Sequence, residues 1–71
     1  MKLPRDLSGA DIVKCLKRLG FTVVRQKGSH ARLIKGDKRV TVAMRGFVPA
    51  GTLQNVLRQA EVTIQDLLDA L

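Results

Sequence analysis

The sequence predicts a single α+β domain, residues 1–71, in which helices pack on one face of a three-stranded antiparallel sheet. Three observations carry that expectation. Runs rich in β-branched residues at 21–26, 30–35 and 38–43 follow one another, with Gly28-Ser29 and Gly36-Asp37 between them, pairs suited to the two-residue turns of tight hairpins. Segments of helical apolar period flank these runs on both sides. At 71 residues, the chain can build one small core, which buries only about 60% of the surface its unfolded form exposes. The expected order is α-β-β-β-α with a short last helix.

Met1 to Leu7 reads as an extended arm, because Pro4 biases Leu3 away from helical geometry. Ser8 is a suitable N-cap for a first helix, with Asp11 three residues on to complement the positive helix end. Ile12, Cys15, Leu16 and Leu19 form its apolar face, and Gly20 supplies the left-handed stop. Met44 to Gly51 is expected as a connecting loop. From about Thr52, Leu53, Val56, Leu57 and Ala60 mark a second amphipathic helix. Thr63 and Asp66 then resemble a capping arrangement for a last helix with Ile64, Leu67, Leu68 and Leu71 inward.

Two-residue turns fix the strand register. The first hairpin pairs Lys27 with His30 and Arg25 with Arg32; the second pairs Arg32 with Thr41 and Leu33 with Val40. One face then carries Val24, Ala31, Leu33, Val40 and Val42 towards the helices. The other carries Arg25, Lys27, His30, Arg32, Arg39 and Thr41, with Phe21, Val23 and Ile34 towards one end. A one-residue slip in either turn would separate the histidine from the cations.

Charge singles out the same region. Thirteen Lys and Arg against six Asp and Glu give +7, and between Ile12 and Ala60 eleven cations face a single carboxylate, Asp37. Glu61 to Leu71 holds three acids and no base, so the positive field belongs to the body of the domain. Such a field suits a polyanion, nucleic acid first and an anionic membrane surface second. Phe21 and Phe47 are the only aromatics, which leaves the core to aliphatic side chains and few rings for stacking single-stranded bases. The lone Cys15 excludes an internal disulfide and, on an apolar stripe, is expected to be an inert buried thiol. No stretch approaches the ~20 apolar residues of a membrane span, and the N-terminus lacks a signal-peptide core. A cytoplasmic protein without membrane association is the expectation.

The segment Arg25-Gln26-Lys27-Gly28-Ser29-His30-Ala31-Arg32 places the only histidine in a turn among cations. Histidine exchanges protons near neutral pH, its ordinary value being about 6.5, and Arg or Lys can hold a phosphate. A base beside phosphate-binding groups suffices for RNA cleavage without a metal, because the 2′-hydroxyl of the substrate is the nucleophile. His30 is therefore the candidate acid/base, and Arg25, Lys27 and Arg32 are candidates to bind phosphate. Ser29 either shapes the turn or donates to phosphate. A two-metal site finds its carboxylates outside the basic region apart from Asp37, and a hydrolytic triad lacks its parts. No cofactor or metal is called for.

With these residues laid out, the chain resembles the HicA family of bacterial and archaeal toxins. The matching segments are Leu7-Ser8-Gly9, Leu19-Gly20-Phe21, Arg25 to His30, Val40-Thr41-Val42, and Gly51-Thr52-Leu53 with Val56 to Ala60. The resemblance runs from Leu3 almost to the C-terminus. It implies a double-stranded-RNA-binding-domain-like fold, an mRNA interferase activity with His30 as catalytic histidine, and neutralisation by a HicB-type antitoxin. The family commonly carries a Pro-x-His-Gly-like segment where this chain has Ala43-Met44-Arg45-Gly46, so Arg45 stands in place of a second histidine. By that match Arg45 joins the residues expected to meet RNA. The rival readings are a non-catalytic double-stranded-RNA-binding module and an interaction subunit that docks an acidic protein.

Overall fold

The computed structural model describes residues 7–71; the expected extended arm, Leu7 apart, lies outside the described residues. Helix α1 spans Gly9–Arg18, strands β1, β2 and β3 span Thr22–Lys27, His30–Lys35 and Lys38–Ala43, and helices α2 and α3 span Ala50–Ala60 and Ile64–Asp69. The sheet is antiparallel in the order β1-β2-β3. This is the expected α-β-β-β-α arrangement with a short last helix and an open sheet.

Local chemistry sets the helix ends. At α1 the Asp11 N–H donates to Ser8 Oγ and the Ser8 N–H to Asp11 Oδ2, each at 3.1 Å, satisfying two amides that the helix leaves unpaired. Thr63 and Asp66 repeat this reciprocal cap at α3, at 3.0 and 3.1 Å. Helix α1 closes through Gly20 N–H to the Lys17 carbonyl and Phe21 N–H to the Leu16 carbonyl, the two bonds of a Schellman motif. Its C-terminal turn is also tied outward: Arg18 Nη1 donates to the Ala70 carbonyl at 2.7 Å, and Lys35 Nζ to the Leu19 carbonyl at 2.8 Å. Helix α2 begins at Ala50, two residues before the expected start, behind Pro49 in extended geometry.

One face of the sheet and all three helices share a core of Ile12, Cys15, Leu16, Leu33, Val40, Val42, Val56 and Leu67, with Ala31 and Ala60 between them. The alternation of buried Ala31, Leu33, Val40 and Val42 with exposed Arg32 and Thr41 turns the polar side chains of the sheet away from the helices. Leu7 also contributes to the core, its carbonyl accepting from Val48 N–H at 2.9 Å.

Strand β1 departs from the expected register. Arg25 pairs with Arg32 as expected, but Val23, not Val24, stands opposite Leu33, so Val24 is an extra residue in a β-bulge. Val24 is 49% exposed, whereas Val23 is half-buried against the core and Phe21 is buried. The bulge reverses the alternation on its far side, so the expected inward Val24 and outward Val23 and Phe21 are all corrected by this one residue. Leu71, expected on the inner face of α3, is 56% exposed because the helix ends at Asp69.

Candidate nucleic-acid interface

Both hairpin turns open on a glycine in the left-handed region, Gly28 and Gly36 at φ +59°, as two-residue turns with glycine in the first central position require. That turn geometry keeps Lys27 directly opposite His30, and the ladder continues with Arg25 opposite Arg32 and Arg32 opposite Thr41. Directly opposed residues share a face, with Cα atoms about 4.5–5.5 Å apart. The result is a shallow depression of about 310 Å³ on the outer sheet face, lined by Arg25, Lys27, His30, Ala31, Arg32 and Thr41. Three of these side chains are permanent cations and none is a carboxylate. All except Ala31 are exposed, so water and a ligand reach them freely.

Of the expected site residues, the structure brings Arg25, Lys27, His30 and Arg32 into this one depression; Ser29 and Arg45 are not among its lining residues. Ser29 occupies the exposed turn beside His30, and its carbonyl accepts from Met44 N–H, extending the β2–β3 ladder past Ala43, the cross-strand partner of His30. Arg45 follows at the exposed loop start, where its carbonyl accepts from Gly9 N–H at 2.8 Å. A Cβ on Gly9 would lie 2.7 Å from Met44 Cα and overlap the Ala43 carbonyl oxygen. The start of α1 thus packs against the backbone that closes the His30 end of the sheet.

Two further residues belong to the site's construction. Thr41 lines the depression, and its backbone N–H, at the outer edge of β3, donates to Gln59 Oε1 of α2 at 3.3 Å. The hairpin register alone points to Thr41, as it sits opposite Arg32. Nothing in the spacing of α2 reveals that Gln59 reaches the strand edge.

A larger concavity lies elsewhere. About 620 Å³ in volume, it is lined mainly by apolar residues of α2, α3 and the loops around them, including Phe47, Leu53, Leu57 and Ile64, with Arg58 as its one charged group. Among the described residues, no three His, Cys, Asp or Glu side chains gather in a metal-ligand arrangement. Cys15 is wholly buried, and burial pushes its thiol up, which leaves it protonated at neutral pH.

Fold and site together define a class: small basic α+β domains with a cationic sheet face that carries an exposed histidine. Residues 9–62 match the family described as HicA toxin of bacterial toxin-antitoxin. That span covers most of the 71 residues, and the chain belongs to the HicA toxin family of toxin-antitoxin systems. Membership implies a toxin role and a cognate antitoxin. No curated protein sequence matched the chain. Among the described residues, no helix is long and apolar enough to cross a membrane.

Proposed function

We propose that this toxin is an endoribonuclease that cleaves mRNA in the cytoplasm without a metal, with His30 as the catalytic acid/base. The observation that carries this reading is the shared depression of His30, Arg25, Lys27 and Arg32, an imidazole among three cations with no acid among the described lining residues. Neutral His30 takes the proton of a ribose 2′-hydroxyl; the 2′-oxygen attacks the adjacent phosphorus, and the 5′-oxygen departs. The products are a 2′,3′-cyclic phosphate and a 5′-hydroxyl end, and at so open a site water can supply the proton that the leaving oxygen needs. Arg25, Lys27 and Arg32 hold the phosphate and offset the charge that grows on it. Ser29 and Arg45, outside the depression's lining, serve to guide the flanking strand. General acid–base assistance of this kind contributes about 10²–10⁴-fold.

The cognate antitoxin, on this reading of HicB type, neutralises the toxin by covering the same face and competing with RNA for the same cations. Induced expression of the toxin alone should arrest growth, and His30→Ala should relieve the arrest while the protein remains folded. Growth arrest undiminished in a folded His30→Ala protein would remove His30 from catalysis. RNA binding without cleavage by the wild-type protein would favour the non-catalytic duplex-binding reading, which the open sheet with helices on one face also fits.

A further inference from the structure

Given RNA as the substrate, a depression that bound DNA equally well would be occupied by strands it cannot cleave, and its cations alone do not tell ribose from deoxyribose. Lys and Arg side chains are donors only and bind the phosphates of RNA and DNA alike. The group that distinguishes RNA is the 2′-hydroxyl, both donor and acceptor. Among the lining residues only His30 and Thr41 carry a side-chain atom able to accept a hydrogen bond from it.

We propose that Thr41 is the ribose-recognising residue of the depression, its hydroxyl bonding a 2′-hydroxyl one nucleotide away from the one that His30 deprotonates. The sheet register supplies the spacing. His30 is paired with Ala43, and Thr41 lies two residues back along β3, a step of about 6.8 Å, roughly one nucleotide of an RNA strand. Arg32, directly opposite Thr41, is placed to hold the phosphate between the two sugars. Gln59 acts through Thr41 as a positioning residue: its Oε1 accepts from the Thr41 N–H at 3.3 Å and so fixes the strand edge that presents the hydroxyl. Thr41 itself is exposed, so its hydroxyl is open to a ligand.

The inference rests on the RNA reading but is tested by binding rather than cleavage. In a His30→Ala background, where Thr41 is the remaining ribose-sensing side chain of the lining, affinities for a single-stranded RNA and the DNA of the same sequence are compared. The RNA preference should persist in that background and fall about threefold to tenfold on adding Thr41→Val, the worth of one neutral hydrogen bond. DNA affinity and the salt dependence of both should be unchanged, and Thr41→Ser should restore the preference. Thr41→Val keeps the β-branched shape at an exposed strand position, and Thr41→Ala, as a second variant, should give the same loss. An RNA preference that survives both substitutions, or an equal loss of RNA and DNA affinity, would overturn the assignment. Wild-type protein that fails to cleave RNA while its ribose preference still depends on Thr41 would refute the nuclease reading and leave this one standing.

Discussion

Arg25 stands directly opposite Arg32 across the β1–β2 ladder, and among the described residues no carboxylate lines the depression they share. Like charges in that position destabilise a sheet by up to about 1 kcal/mol in small hosts, less where both are exposed. On the proposed reading, the phosphate of bound RNA offsets that repulsion.

The double variant Arg25→Ala, Arg32→Ala should therefore be at least as stable as the wild type yet bind RNA more weakly. Removing one phosphate-neutralising cation lowers the slope of log K against log salt by about 0.7 for a single strand, so removing both should make it shallower by about 1.4. Titration at several salt concentrations checks this; an unchanged slope would place the phosphates elsewhere.

How far the sequence reveals this site depends on the same strand. The turns Gly28-Ser29 and Gly36-Asp37 fix the register locally, so the face shared by Arg25, Lys27, His30 and Arg32 follows from counting residues. Val24 marks the limit of that counting: Phe21, Val23 and Val24 are all apolar, and no pattern among them reveals a bulge that exposes Val24. Gln59 marks another limit, since its hydrogen bond with Thr41 depends on how α2 lies along β3, which is set by packing rather than by local sequence. The caps at Ser8 and Thr63, by contrast, are wholly local and legible from four residues each.

The close approach of Gly9 to Ala43 and Met44 predicts a coupling between the start of α1 and the site. Gly9→Ala forces backbone against a Cβ and should lower unfolding stability by about 1–3 kcal/mol. Because Met44 N–H bonds the Ser29 carbonyl beside His30, activity should fall further than the unfolded fraction explains. Denaturant unfolding and RNA cleavage assayed on the same variant distinguish the two effects.

Glu61 ends α2 in the left-handed region at φ +57°, with its N–H bonded to the Arg58 carbonyl and Val62 N–H to the Leu57 carbonyl. A glycine adopts this geometry without a Cβ penalty, and removal of a negative charge from the helix C-terminus also favours the fold. Glu61→Gly should stabilise the domain by about 0.5–1 kcal/mol, raising Tm by about 4 °C, with RNA cleavage unaffected. A lower Tm would contradict the strain at this cap.

Two titrating groups give pH predictions of opposite sign. Hydrogen bonding from the Ser8 amide, then its hydroxyl, holds the Asp11 carboxyl below its ordinary value. Its contribution is present above about pH 3.9 and is lost as pH falls through the lower folded value, so Asp11→Asn should cost less stability in strong acid than at neutrality. Burial raises the Cys15 thiol, so stability should decline as pH rises past its ordinary value, about 8.5, and native Cys15 should react with thiol reagents only through opening of the fold.

The central claim, that His30 cleaves RNA with the substrate's own 2′-hydroxyl, is tested most directly by the ends it leaves. Purified wild-type protein incubated with RNA in chelator should yield 5′-hydroxyl and 2′,3′-cyclic or 3′-phosphate ends, and His30→Ala should slow the cleavage about 10²–10⁴-fold. Fragments bearing 5′-phosphates, cleavage only on addition of Mg²⁺, or an unimpaired His30→Ala protein would contradict the account.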